Sequence, residues 1–163
     1  MSKKNVAFMG VFLALALVLS YVESLIPVFV AVPGMKLGLA NLVIVIILYC
    51  MGPKQAYIIS IARVILAGFL FGNMQSILFG LAGAMLSLTV MLLIKKTTKL
   101  KVFTVSAIGG VCHNIGQLIV ASIVVETYSV FYYMPVLLIV GLITGVIIGI
   151  ISQELIRRLR RFF

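Results

Sequence analysis

The sequence predicts an all-α integral membrane protein with six transmembrane helices and both termini in the cytoplasm. Composition is the first observation: 64% of the 163 residues are hydrophobic and only 10% are charged, which lies far outside the range of soluble globular domains. The second observation is a series of apolar runs that approach the about 20 helical residues needed to cross a bilayer. The third is a one-sided distribution of lysine and arginine between those runs.

The apolar runs define six predicted spans within a single membrane domain, residues 1–163. These spans cover residues 5–26, 39–51, 55–71, 73–94, 102–125 and 133–156. The second run is too short to cross the hydrocarbon core alone, so its helix either begins earlier, near Met35, or is partly re-entrant.

The orientation of the spans follows from the basic residues in the short loops, which are enriched on the cytoplasmic side of membrane proteins. With a cytoplasmic N-terminus, eleven basic residues lie inside the cell and only Lys36 lies in an outer loop. The cytoplasmic set is Lys3, Lys4, Lys54, Lys95, Lys96, Lys99, Lys101, Arg157, Arg158, Arg160 and Arg161. We therefore predict a plasma-membrane protein surrounded by lipid. Nucleic acid is excluded as a partner, because no basic face with interleaved aromatic residues exists.

Small residues at four-residue intervals mark predicted helix contacts, because helices in lipid associate where small side chains let the backbones approach. The sixth span carries Gly141, Gly145 and Gly149, and the first carries Gly10 and Ala14. Internal packing of the bundle is the favoured interpretation. A docking face for a partner membrane protein is the alternative, and the first span suits it best because it is terminal.

Polar side chains within the spans are the candidates for a binding site, because a charge at the bilayer centre costs about 2.5–3.5 kcal/mol on insertion scales. Counting 1.5 Å per helical residue from the nearest cytoplasmic lysines places Arg63 and His113 at similar depths near the midplane. His113, Asn114 and Gln117 lie on one face of the fifth helix. These residues are predicted to line a cavity. The alternative is that they only hydrogen-bond neighbouring helices, at about 0.6 kcal/mol per contact.

The polar layer extends from the midplane toward the outer face. Asn41 lies early in the second span and Glu23 late in the first, and an interfacial role is the alternative for Glu23. Lys36 lies in the segment "PVFVAVPGMKLG", whose prolines and glycines suit an irregular path across the outer face. Lys36 either offers its charge to an anionic ligand or snorkels to the interface.

Catalytic chemistry has no support in the sequence. Magnesium-dependent diphosphate chemistry needs paired carboxylates that hold Mg²⁺, but the chain contains no aspartate, and Glu23, Glu126 and Glu154 are scattered. No GxxxxGK[ST] loop is present for ATP, and Cys50 and Cys112 cannot hold an iron–sulfur cluster. We therefore expect no enzyme activity, no metal site and no cofactor belonging to the chain itself.

Several strings carry a family resemblance, among them "PGMKLGLAN", "RVILAGFLFG", "GLAGAMLSL", "GGVCHNIGQLIVA" and "PVLLIVGLITGVIIG". Over residues 6–152 the chain resembles the Gx transporter family, also called heptaprenyl diphosphate synthase component I. That family is in turn similar to the six-helix S-components of energy-coupling-factor vitamin transporters. The resemblance implies an S-component-like bundle whose ligand site opens outward beneath the loop after the first helix. S-components dock through an alanine-spaced motif in that helix, for which the nearest equivalents are Gly10 with Ala14 and Ala16 with Ser20.

These observations lead us to expect a non-catalytic membrane subunit that binds or transports a small hydrophobic or amphipathic molecule, such as an isoprenoid, a quinone or a vitamin. The predicted site residues are His113, Asn114, Gln117, Arg63, Asn41, Lys36 and Glu23. Two alternatives stay open: a membrane subunit of quinone- or flavin-linked extracellular electron transfer, and an accessory partner of a prenyl diphosphate synthase. Each implies partner membrane or membrane-associated subunits, and a bound quinone or isoprenoid fits all three.

Overall fold

Six α-helices follow one another along the described part of the chain, and each lies close to a predicted apolar run. The computed structural model describes residues 3–25, 38–124 and 128–162. The helices are α1 (Lys3–Leu25), α2 (Leu39–Cys50), α3 (Pro53–Phe71), α4 (Met74–Thr97), α5 (Val102–Val124) and α6 (Met134–Leu159). Short 3-10 helices, Tyr128–Tyr133 and Arg160–Phe162, flank α6. No strand occurs among the described residues, so the predicted all-α class is confirmed.

Five of these described helices, all except α2, are long and apolar enough to cross a membrane. Their outward faces carry large apolar side chains: Phe69 is 69% exposed, Ile123 68% and Val11 65%. Continuous apolar surface of this kind is unfavourable in water and ordinary in lipid. The helices therefore indicate a multi-pass membrane protein, while the count of six spans and the cytoplasmic termini stay predictions.

Helix α2 is short and enclosed by the rest of the bundle. Its 12 residues extend about 18 Å at 1.5 Å per residue, less than the about 30 Å of hydrocarbon in a bilayer. Residues 43–48 are all buried, and the helix packs against α1, α3 and α6. A helix that is apolar on all sides is stable when protein surrounds it. The predicted start near Met35 lies outside the described residues.

The helices form a closed ring in the order α1, α2, α6, α5, α4, α3. Successive helices run in opposite directions. Glu23, near the end of α1, accepts a hydrogen bond from the amide of Gly38 at the start of α2. Lys95, near the end of α4, donates to the carbonyl oxygen of Leu48 over 2.7 Å. We call the end where α1 begins and α6 ends the basic end, because it carries Lys95 and the arginines around Arg160; the other end is the far end.

The apolar core lies in the half of the bundle nearest the basic end. All six helices contribute buried side chains to it, including Met9, Phe12, Ile47, Leu48, Ile59, Leu88, Met91, Val105 and Ile156. The Lys95 ammonium also lies 4.5 Å from the centre of the Tyr49 ring. This cation–π contact and the hydrogen bond to Leu48 together cap the C-terminal end of α2. The half nearest the far end is therefore where polar side chains find space.

The glycines of α6 hold it against α5 without room for side chains. A Cβ atom on Gly110 would lie 2.3 Å from the carbonyl oxygen of Gly141, and one on Gly145 would lie 2.7 Å from that of Ser106. Internal packing of the α6 glycines is thus confirmed. At Gly10, in contrast, a Cβ atom would have no atom of the described residues within 4 Å, so the docking role of its stripe stays a prediction.

Candidate functional site

A polar recess lies between α1, α3, α4 and α5 in the far half of the bundle. We call it the Arg63 recess. Its polar lining is Ser20, Glu23, Ser24, Arg63, Ser76, His113 and Gln117. Its volume is about 80 Å³, which holds several water molecules, since one water needs about 10–15 Å³. Pockets that enclose a whole drug-sized ligand have about 300–1,000 Å³, so this recess fits a head group.

Arg63 reaches this recess from the middle of α3. Its Nη2 donates a hydrogen bond to Asn41 Oδ1 on α2 over 3.2 Å. Its Nε is buried and has no hydrogen-bond partner among the described residues. Glu23 supplies the opposite charge that acts on the guanidinium. Arg63 and His113 therefore line the same recess, while their depth near the membrane midplane stays a prediction.

Glu23 is buried among the described helices, with 6% of its surface exposed, and its depth in the membrane stays a prediction. One carboxylate oxygen accepts the amide hydrogen of Gly38, the residue that precedes the first turn of α2. The free amides at a helix N-terminus favour a negative charge. Glu23 is therefore held by the start of α2, and its charge acts on Arg63.

His113 and Gln117 lie one turn apart on the face of α5 that packs against α4. A Cβ atom on Gly83 would lie 3.0 Å from His113 Cε1 and 2.9 Å from Gln117 Cγ. Gly116, on the same helix, approaches the backbone of Ala82. Close packing of small residues on α4 and α5 therefore brings the imidazole and the amide into the recess.

A second recess of about 40 Å³ adjoins the first, and we call it the Asn41 recess. His113 and Gln117 line both recesses, whereas Asn41 and Asn114 line only the second. The amide nitrogen of Asn114 donates to the carbonyl oxygen of Leu137 over 2.6 Å. Asn114 therefore makes an interhelical hydrogen bond, which was the alternative to a cavity-lining role.

Six of the predicted site residues come together around these adjoining recesses, namely His113, Asn114, Gln117, Arg63, Asn41 and Glu23. Lys36 lies outside the described residues. The proximity of the six residues does not test whether they bind a ligand, so the binding site stays a prediction.

Ser20 lines the Arg63 recess although it was not among the predicted site residues. Its hydroxyl oxygen is buried without a hydrogen-bond partner among the described residues. Ala16, its companion in the supposed docking pair, is 0% exposed. Ala16 and Ser20 therefore follow the favoured interpretation of internal packing rather than the docking alternative, because this side of α1 faces the bundle. The three-residue spacing of Ser20 and Glu23 was the signal that could have revealed it.

Aromatic side chains join α1 to α3 beside the recess. The rings of Tyr21 and Phe71 have centroids 5.1 Å apart and planes tilted by 48°, a geometry typical of favourable aromatic pairs. Phe71 also lines the recess. Just beyond it, Asn73 and Ser76 cap the start of α4 reciprocally, which fixes the serine at the recess wall.

Polar recesses between apolar helices of membrane-spanning length place this protein in the class of helical multi-pass membrane proteins. The chain belongs to the heptaprenyl diphosphate synthase component I family, whose model matches residues 12–155. The match covers most of the chain and all of the candidate site residues, so the predicted family is confirmed. None of the curated proteins compared with the chain matches it. Membership of this family and the apolar helices fit a non-catalytic membrane subunit of a synthase.

Proposed function

We propose that this protein is a non-catalytic membrane subunit that binds the polar end of a small hydrophobic or amphipathic molecule in the Arg63 recess. The observation that carries the proposal is the convergence of Arg63, Glu23 and His113 on one recess inside an apolar bundle. Ionisable residues within membrane spans are candidates for functional sites by default, because burying them in the hydrocarbon region is costly.

Two buried groups in the recess support a ligand-binding role. Arg63 Nε and Ser20 Oγ have no hydrogen-bond partner among the described residues. Leaving a buried polar group unsatisfied costs about 1–3 kcal/mol. A hydrogen bond from either group to a ligand atom would recover this free energy.

The size of the recess restricts the ligand to a bipartite molecule. A head group fits the about 80 Å³ available, while an isoprenoid or similar tail would lie outside, against apolar helix surface and lipid. An isoprenoid, a quinone or a vitamin-like molecule with an apolar portion meets this description. With cytoplasmic termini and a plasma-membrane location, as we propose, the recess lies in the outer half of the membrane.

An accessory role in prenyl diphosphate synthesis is the second candidate, because the family description names a synthase component. In that case the Mg²⁺-binding carboxylates come from a partner subunit. Glu23 is engaged with Gly38, and Glu154 accepts from Arg158 over 2.9 Å on the exposed surface. These two glutamates lie at opposite ends of the bundle, which does not suit a shared Mg²⁺ site.

Gentle purification followed by mass spectrometry of bound small molecules and proteins tests the proposal. We expect a lipid-like molecule to accompany the wild type and to be depleted in His113→Ala. Ser122→Ala is the matched control on α5, because its hydroxyl donates to Ile119 within the helix. Equal small-molecule content in all three proteins would contradict the proposal. Retention of a soluble prenyltransferase by all three, without a bound small molecule, would instead favour the accessory role.

A further inference from the structure

We infer that the head group held in the Arg63 recess is an uncharged hydrogen-bond acceptor, such as a ketone or quinone carbonyl, rather than a diphosphate. This inference rests on the proposed function and specifies the chemistry of its ligand. It follows from the charges and the unsatisfied hydrogen-bonding groups of the described residues that line the recess.

The fixed charges on the described residues that line the recess balance. Arg63 contributes one positive charge and Glu23 one negative charge, and His113 is the remaining ionisable side chain in the described lining. A diphosphate would bring more than one negative charge into a space whose described lining has no further fixed cation to compensate it. An uncompensated charge in a low-dielectric interior costs several kcal/mol.

The hydrogen-bonding groups that lack partners are suited to donate. Arg63 Nε carries a hydrogen and cannot accept, and the hydroxyl of Ser20 can donate to a neighbouring oxygen. Both are buried without a partner among the described residues. The main acceptor in the recess is already in use, because Glu23 accepts from Gly38. A carbonyl oxygen has two lone pairs and brings no donor of its own, so it is an uncharged group suited to accept from such donors.

A matched pair of probes separates the two head-group chemistries. Geranylacetone and geranyl diphosphate share the same prenyl tail but end in a ketone and a diphosphate. Their affinities are measured with the full-length protein in lipid nanodiscs, and empty nanodiscs correct for partition into lipid. We expect the ketone to bind at least tenfold more tightly than the diphosphate.

Serine variants test the donor. Ser20→Ala removes a hydroxyl that makes no hydrogen bond to the described residues, so we expect unchanged thermal stability and about fivefold weaker binding of geranylacetone. Ser24→Ala is the control, because Ser24 also lines the recess but its hydroxyl already donates to the carbonyl oxygen of Tyr21 over 2.6 Å. We expect Ser24→Ala to bind geranylacetone like the wild type.

A glutamate variant tests the charge balance. Glu23→Gln keeps an oxygen that can accept from Gly38 but leaves Arg63 without a compensating charge. We expect the ratio of diphosphate to ketone affinity to rise at least tenfold. Tighter binding of the diphosphate than of the ketone by the wild type, or equal effects of Ser20→Ala and Ser24→Ala, would overturn this inference and leave the proposed function standing. Absence of binding by both probes would overturn the proposed function itself.

Discussion

At the scale of single residues, Arg63 and Glu23 each bond to the start of α2, and the charge of Glu23 acts on Arg63. Arg63 donates to Asn41, and Glu23 accepts from the amide that precedes α2. A charge in a membrane span is tolerated when an opposite charge and hydrogen bonds accompany it. The pairing therefore explains how an arginine and a glutamate can both lie inside so apolar a bundle.

A double-mutant cycle measures that pairing. Arg63→Met leaves Glu23 buried without its counter-charge, and we expect it to lower the free energy of unfolding by about 3 kcal/mol. Glu23→Gln added to Arg63→Met removes the stranded charge and should recover at least about 1 kcal/mol of the loss. Unfolding in mixed detergent micelles provides the measurement. Strictly additive losses would mean that the two side chains do not interact.

The polar residues of the site could largely be predicted from the sequence, but their neighbours on α1 could not. Arg63 and His113 are rare residues in apolar spans, and counting helical rise from the loop lysines placed both at one depth. Helix α1 is apolar on nearly every side, so the short spacing of Ser20 and Glu23 was the one weak indication of which face turns inward. The inward position of Ala16 and Ser20 is therefore set by packing against other helices, which a single sequence does not encode locally.

At the scale of helices, the boundaries were the most predictable feature. Pro53 occupies the first turn of α3, Asn73 caps α4, and lysines end α4, so each boundary has a local chemical signal. The short helix α2 is the exception. Its length falls below that of an independent span, and burial by neighbouring helices, which sequence length does not reveal, accounts for its stability.

Two glycine substitutions test the close contact of α5 with α6. Gly110→Ala would place a methyl group 2.3 Å from a backbone oxygen of α6, and we expect a loss of about 1–3 kcal/mol in the free energy of unfolding. Gly10→Ala is the control, because open space surrounds that position in the described part of the chain, and its effect should stay within about 0.5 kcal/mol. Equal stability of the two variants would contradict the packing of α5 on α6.

At the scale of the whole molecule, the bundle divides into a packed apolar half at the basic end and a half that contains the polar recesses. Tight packing restricts side-chain motion, so the first half provides a rigid base for the recess-lining ends of α1 and α3. If the predicted positive-inside orientation is correct, the recesses open toward the outside of the cell.

Cysteine labelling in cells tests that orientation. Leu100→Cys lies in an exposed connection at the basic end, and Tyr132→Cys lies at the far end, where the tyrosine is 86% exposed. Both are made in a background in which Cys50 and Cys112 are alanine. We expect a membrane-impermeant maleimide to label Tyr132→Cys in intact cells and Leu100→Cys only after permeabilisation. The reverse pattern would invert the orientation.

Photo-crosslinking tests most directly whether the Arg63 recess receives a ligand head group. The probe is a prenyl ketone with a diazirine beside its carbonyl, applied to the protein in nanodiscs and mapped by peptide mass spectrometry. The account predicts adducts within residues 20–24, 63–72 and 113–117, which line the recess, and their loss when unlabelled ketone competes. Adducts confined to outward apolar positions such as Ile123 and Ile139, with the recess residues unlabelled, would contradict it.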